Sequence, residues 1–306
     1  MPKKMSRDFD LKGLAAFLES GKGVLLDTLP GGHFGRRHIQ GAINACVYEV
    51  AFLETVRNII PDTDTPVVCY GAGQGSLDCF QAKEKLVRAG YADVSVFPGG
   101  IQAWREAGFE LQGQAPESDD PPYPVFQPEK RLYSVDPEQS LVLWTGRNAR
   151  GQHNGVLALS GGEIDFSDCC SGYFHADMRS IRDLDIHDPE QRAVLEAHLA
   201  SDDFFFVDRF PSATYHIERI MSVARLPAGV ANHTLTGLLE LRGVSRNVVM
   251  AAHFRNLDNG AISLQANFNL DRTMWGVLYG SARFFKFLGK HLVYDHVSLD
   301  IRIILT

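Results

Sequence analysis

The stretch GQAPESDDPPYPVFQPEK, residues 113–130, decides how the chain is built. It carries Pro116, Pro121, Pro122, Pro124 and Pro128, a short acidic run and no apolar periodicity, so it predicts a linker. The two sides differ in pattern and share no internal repeat. That divides the 306 residues into a first domain over 1–112 and a second over 131–306. Each is long enough to bury its own core.

Upstream of the linker, helical and strand patterns alternate. Leu11, Leu14, Ala15 and Leu18 lie at helical spacing, and Gly23 to Asp27 reads as a short buried strand. Pro66 to Tyr70 is a second apolar run and leads into a glycine-rich loop. Cys79 to Leu86 reads as a helix ended by Gly90, Val94 to Phe97 as a strand, and Ile101 to Ala107 as a further helix. This alternation predicts a parallel sheet covered by helices.

Downstream, short alternating runs such as Gly155 to Leu159, Gly172 to Met178 and Thr234 to Leu241 are separated by turn residues. They predict an antiparallel barrel or sandwich. A single helix around Glu190 to Ala200 interrupts them, with Val194, Leu195, His198 and Leu199 expected on one face.

The composition, 45% hydrophobic and 22% charged, is that of a soluble globular protein. A net charge of −7 and the lack of a basic run argue against nucleic acid and against attraction to acidic lipid. Residues 1–8 are basic but precede no apolar stretch, which does not fit a secretory signal. Five cysteines without C-x-x-C spacing point to neither a disulfide framework nor a zinc site. A reducing, cytoplasmic location is the expectation. Adjacent Cys169 and Cys170 are expected in a hairpin turn, unoxidised and without function.

Leu25 to Thr28, His33-Phe34 and His38 to Asn44, followed by Val94 to Trp104, resemble the opening and closing signatures of rhodanese-like domains over roughly residues 8–112. The resemblance implies a cysteine nucleophile at the end of a strand. After it comes a loop whose backbone N–H groups stabilise anionic sulfur, which also lowers the thiol pKa. Aligned on Pro66 to Tyr70, the nucleophile's position holds Gly71, and the anion cradle is Gly71, Ala72, Gly73, Gln74, Gly75 and Ser76. Cys69 is expected to pack inward. Cys79 stands near a helix start, where the dipole favours a thiolate, but off the expected position. The loop also lacks the arginine or lysine of many active members. The domain therefore reads as rhodanese-like without standard sulfurtransferase chemistry. Asp27 is expected to accept hydrogen bonds from loop amides, and His33 and His38 to be structural. Arg36 and Arg37 are expected to form a solvated pair rather than an anion clamp.

Ordered blocks of the second half, Tyr133 to Asp136, Leu143 to Gly146, Gly151 to Gly155, His198 to Phe205, Phe210 to Tyr215, Gly237 to Val244 and Leu270 to Gly276, resemble the YceI-like family. The resemblance implies a lipocalin-like barrel that holds polyisoprenoids or related amphiphiles. An eight-stranded barrel is just wide enough for one elongated ligand, with alternate residues facing in. Leu157 and Leu159 on one strand, Phe174, Ala176 and Met178 on another, and the cluster of Phe204, Phe205, Phe206 and Phe210 are the expected lining. Arg242 is the candidate contact for a polar head group. Asp202, Asp203, Asp271 and Arg272 are expected to fix turns and a salt bridge. His153, His175 and His198 show no ligand spacing, so no metal is expected, and no cofactor is implied.

The function expected is that of a protein holding a long-chain apolar small molecule (isoprenoid, quinone or fatty-acid derivative). A partner protein for the rhodanese-like module and transient membrane contact are both compatible with it. The alternatives are a sulfurtransferase using Cys79 or Cys69 with an apolar acceptor in the barrel, and a partner-binding protein that uses neither cavity.

Overall fold

The computed structural model describes residues 8–118, 125–167, 170–223 and 229–306. The chain forms two compact units, residues 1–120 and 121–306. In the first, α1 (Leu11–Ser20) is capped by Asp10, whose carboxylate accepts from Gly13 N at 2.7 Å, and Gly21 ends it in the left-handed conformation. There follow β1 (Val24–Asp27), α2 (Gly31–Arg36), β2 (His38–Ile39), β3 (Ile43–Asn44), α3 (Phe52–Ile59) and β4 (Val67–Tyr70). Then come α4 (Asp78–Arg88), β5 (Val94–Phe97), α5 (Gly100–Glu106) and β6 (Leu111–Gln112).

Strands β3-β1-β4-β5 form a parallel sheet in that order, and β2 pairs with β6. Both faces of the sheet are covered, as parallel sheets require. Leu26, Cys69 and Val96 pack on one side against Phe52, Val56 and Leu86. Leu25, Val68 and Phe97 pack on the other against Leu14, Ile39 and Trp104.

In the second unit β7 (Leu132–Ser134) and β8 (Leu141–Arg147) lead into the long β9 (Gln152–Asp165). After it come β10 (Ser171–Asp177), β11 (Arg182–Asp183), α6 (Pro189–Ala200), β12 (Ser212–Ser222), β13 (His233–Leu241), β14 (Val244–Asn256), β15 (Ile262–Asp271) and β16 (His296–Leu305). Strands β8, β9, β10, β12, β13, β14, β15 and β16 pair in sequence, and β16 pairs back to β8. The result is a closed eight-stranded antiparallel barrel. β9 turns a corner at Gly161-Gly162, with φ near +144° and +150°. Its first part pairs with β8 and β11, its last part with β10 and β7. A side chain at Gly162 would run into the Tyr173 carbonyl of β10, so the corner needs glycine for space as well as for φ.

Several expectations change. α2, GGHFGR, and α3, FLETVRNI, arise from segments for which no helix was expected, although α3 is amphipathic and buries Phe52 and Val56 on one face. The proline-rich stretch is held at both ends by its own unit. Gln114 N and Ala115 N donate to Gly35 O and Arg36 O at 2.9 Å, and the Arg37 guanidinium donates to Ser118 O. Arg37 is therefore bound to the chain rather than solvated. At the other end Phe126 stacks among Phe166, His233 and Phe254. Residues 119–124 of that stretch, and Asp168 and Cys169 of the Cys169-Cys170 turn, lie outside the described residues. On α6, Val194 is 70% exposed and faces away from Leu195, His198 and Leu199. Among the described residues no helix is long and apolar enough to cross a membrane.

Candidate functional site

The interior of the barrel holds a cavity of about 350 Å³, within the usual range for small-molecule sites. Alternation along the strands builds its wall. Val142 and Trp144 face in from β8, Phe174 and Ala176 from β10, and Val297, Leu299 and Ile301 from β16. Leu195 and Leu199 of α6, with Phe204 and Phe205 after it, cover one side. The polar lining gathers where β8 ends and β9 begins. Arg147, Asn148 and His153 stand there with Tyr279, Lys290 and His291. Lys290 and His291 are exposed, which makes this end the mouth.

Of the expected lining, Leu157, Phe174, Ala176, Met178, Phe204 and Phe205 face the cavity. Four residues do not. Leu159 lies two positions nearer the Gly161-Gly162 corner and is packed into the closed core at 1% exposure. Phe206 takes a left-handed φ of 49°, which turns it away from Phe205, and meets Phe210 edge-on at 6.1 Å. Phe210 covers Gly243, where a Cβ would stand 2.7 Å from its ring. Arg242, also at positive φ, donates to Gly276 O and Asp202 O at 2.7 Å each and ties loops together away from the cavity.

Arg272, expected to fix turns and a salt bridge, also lines the cavity. It is 2% exposed, and its guanidinium donates to Val277 O at 2.6 Å, Tyr279 O at 2.7 Å, and the Val293 and Tyr294 carbonyls at 3.2 Å. Its salt bridge is with Asp295 at 3.9 Å, a residue twenty-odd positions away that no local pattern could pair with it. Asp271 instead pairs with Arg283 at 2.9 Å. The three histidines are separate. His175 meets Thr214 Oγ1 at 2.8 Å, His198 meets Asp203 at 3.2 Å, and His153 meets Asp185 at 3.1 Å.

The glycine-rich loop of the first unit holds an anion of its own. The Asp78 carboxylate is 2% exposed and lies in the loop. Its Oδ2 accepts from Ala72 N at 3.0 Å and Ser76 Oγ at 2.7 Å, and its Oδ1 from Cys79 N at 2.8 Å. A Cβ on Gly71 would fall inside that carboxyl group. Gly73 and Gly75 sit at positive φ, and Gln74 lies between them at the turn of the loop. Cys69 is fully buried and its thiol is held far above its ordinary range by that burial. Cys79 is 2% exposed, and burial together with the neighbouring Asp78 carboxylate pushes its thiol up to about 12. The thiolate expected from the helix start is therefore not favoured, because burial outweighs the helix dipole. Asp27 accepts from Leu29 N at 2.8 Å, and His38 Nδ1 pairs with Phe34 O at 2.8 Å, both structural contacts.

A family model for the YceI-like domain matches residues 133–305, and one for the rhodanese-like domain matches residues 10–107. No curated protein matches the chain. Among solved structures, BcnA of Burkholderia cenocepacia is 19% identical with a TM-score of 0.44, over 56% of this chain and 99% of that one. A polyisoprenoid binding domain from Saccharophagus degradans, implicated in plant cell wall breakdown, is 15% identical with a TM-score of 0.43, over 56% and 97%. The YCEI protein of Campylobacter jejuni is 18% identical with a TM-score of 0.32, over 44% and 70%.

Proposed function

The chain belongs to the YceI-like domain family, with a rhodanese-like domain ahead of the barrel, and from that premise we propose that it is a binding protein for a long-chain amphiphile. The observation that carries the reading is the largely apolar cavity enclosed by the barrel, with a group of polar side chains gathered at its mouth. The chain of the ligand, an isoprenoid, quinone or fatty-acid derivative, lies among Phe174, Met178 and Leu199. Its polar head stands at the mouth beside Arg147 and Lys290. Each buried methylene contributes about 0.8 kcal/mol, so a dozen carbons contribute about 10 kcal/mol before the cost of association. No catalytic group is needed for that.

The rhodanese-like unit acts in this reading as an interaction module without sulfurtransferase activity. Gly71 brings no nucleophile, Asp78 fills the loop, and Cys69 and Cys79 are buried thiols. The free thiols Cys46, Cys69, Cys79 and Cys170 fit a reducing compartment such as the cytoplasm.

Native mass spectrometry of the chain purified without detergent, followed by organic extraction, tests the barrel. The expected result is a stoichiometric fatty-chain or isoprenoid species, lost when Phe174→Asp and Met178→Lys are introduced. A folded wild-type chain from which nothing apolar is extracted, and which takes up no added lipid, overturns the reading.

A further inference from the structure

Beside the mouth of the barrel, β11 pairs with the first part of β9, Asp183 opposite Gly155, and Leu184 N donates to Asn154 O at 2.9 Å. This register brings two carboxylates of the Asp183-Leu184-Asp185 segment to His153. His153 Nδ1 is 3.1 Å from Asp185 Oδ2 and 4.0 Å from Asp183 Oδ2, and the three atoms all lie within 4.8 Å of one another.

Each carboxylate spends its other oxygen on backbone amides. Asp183 Oδ1 accepts from Ile186 N at 2.7 Å and Asp185 N at 3.2 Å, and Asp185 Oδ1 accepts from Asn154 N at 2.6 Å. Two Oδ2 atoms are thereby aimed at one imidazole nitrogen and held in place, as the outer partners of metal ligands do.

The Asp183 side chain is fully buried, and its Oδ2 has no hydrogen-bond partner. A carboxylate oxygen taken from water and left unpaired costs several kcal/mol. His153 at 4.0 Å is too far to satisfy it directly and is already engaged with Asp185. A cation among the three atoms would satisfy all of them. Ligand atoms around tetrahedral zinc, at bond lengths of about 2.0–2.2 Å, stand about 3.4 Å apart. The separations of 3.1 and 4.0 Å straddle that value.

We propose that His153 Nδ1, Asp183 Oδ2 and Asp185 Oδ2 form a binding site for one divalent transition cation, of which Zn²⁺ is the best match to one imidazole and two carboxylates. Two carboxylates neutralise the charge of the ion, and the absence of thiolate among the three donors leaves no preference for Cu(I). Three protein ligands leave a coordination position for water, and His153 is also part of the cavity lining, so that position is close to the mouth. Cation binding requires no cargo, and its failure would leave the lipid reading standing.

The full chain without an affinity tag, stripped by chelator and dialysed, is titrated with ZnCl₂ by calorimetry. Co²⁺ absorption reports coordination directly. One equivalent is expected to bind and to raise the melting temperature of the barrel. Asp183→Asn keeps the acceptor for the Ile186 and Asp185 amides and removes the charge. His153→Gln changes a half-exposed side chain and secures the test if the buried substitution does not fold. Each is expected to weaken binding at least about 10–100-fold. No Zn²⁺ binding by the wild type, or equal binding by the wild type and His153→Gln, overturns the site. So does an Asp183→Asn chain that binds like the wild type, since surface carboxylates would then be the ligands.

Discussion

At Gly71 a single added carbon would land inside the carboxyl group of Asp78, so two residues seven positions apart decide what the glycine-rich loop can do. Asp78 takes the Ala72 amide and the Ser76 hydroxyl that a bound anion would otherwise use. Restoring a cysteine at position 71 alone therefore overpacks the site. Gly71→Cys should cost about 1–3 kcal/mol of stability, read as a lower urea midpoint, and should give no thiosulfate:cyanide activity. Gly71→Cys with Asp78→Ala should recover most of the midpoint and expose a thiol to alkylating reagents. A stable, reactive Gly71→Cys single variant would show that Asp78 does not hold the loop. The glycine at position 71 was legible in the sequence, where the rhodanese resemblance places a cysteine. The substitute anion was not, since nothing in Ser76-Leu77-Asp78 says that the carboxylate turns back into the loop. Arg272 and Asp183 were illegible for the same reason: Asp295 and His153, which stand beside them, are distant in sequence and are brought close only by the fold.

Among the elements, α6 shows how far periodicity carries. Its span agrees with the sequence pattern because Asp188 caps it, accepting from Glu190 N at 2.9 Å, and Pro189 opens its first turn. Its buried face does not agree in full, because none of its residues is completely buried and a weakly amphipathic helix leaves the rotation to its neighbours. Leu195 and Leu199 face the cavity while Val194, adjacent in sequence, faces water. Leu199→Asp should therefore abolish retention of the extracted lipid with the chain still folded. Val194→Asp should leave both retention and stability unchanged within about 0.5 kcal/mol. Equal retention by the two variants would remove α6 from the cavity wall. The strands were legible as alternation, and their closure came only from the family resemblance. β9 alone meets β7, β8, β10 and β11 by bending at Gly161-Gly162, a role no hydropathy pattern encodes. α2 and α3 were missed because one is a six-residue glycine-rich turn of helix and the other is eight residues long, shorter than the windows in which period 3.6 is distinguishable.

The whole molecule carries two sets of core contacts, and their titratable groups pull in opposite directions with pH. In the first unit, burial raises the Asp27 carboxyl from 3.8 to about 6, with the Tyr70 hydroxyl offsetting part of the effect. The folded chain then holds that proton more tightly than the unfolded chain. The resulting stabilisation is fully present below about pH 4 and is lost as the pH rises through 6, a change on the order of 2–3 kcal/mol. In the second unit, burial among Phe126 and Phe254, with His253 nearby, lowers the pKa of His233 below its usual 6.5. There the unfolded chain binds the proton more tightly, so stability is present above about pH 6.5 and is lost as the pH falls through the folded value. Hydrogen bonds from Thr273 and the Arg283 guanidinium hold Asp271 below its ordinary value against the opposing effect of burial, and that contribution is also lost in acid. Calorimetric scans at pH 7 and pH 4.5 should show the transition of the first unit moving up by several degrees on acidification and that of the barrel moving down. Asp27→Asn should abolish the first movement and leave the second, and His233→Phe should diminish the second and leave the first. If both transitions fell together in acid and Asp27→Asn changed neither, Asp27 would have to be ionised in the folded core, and the burial of its carboxyl could not govern the stability of the first unit.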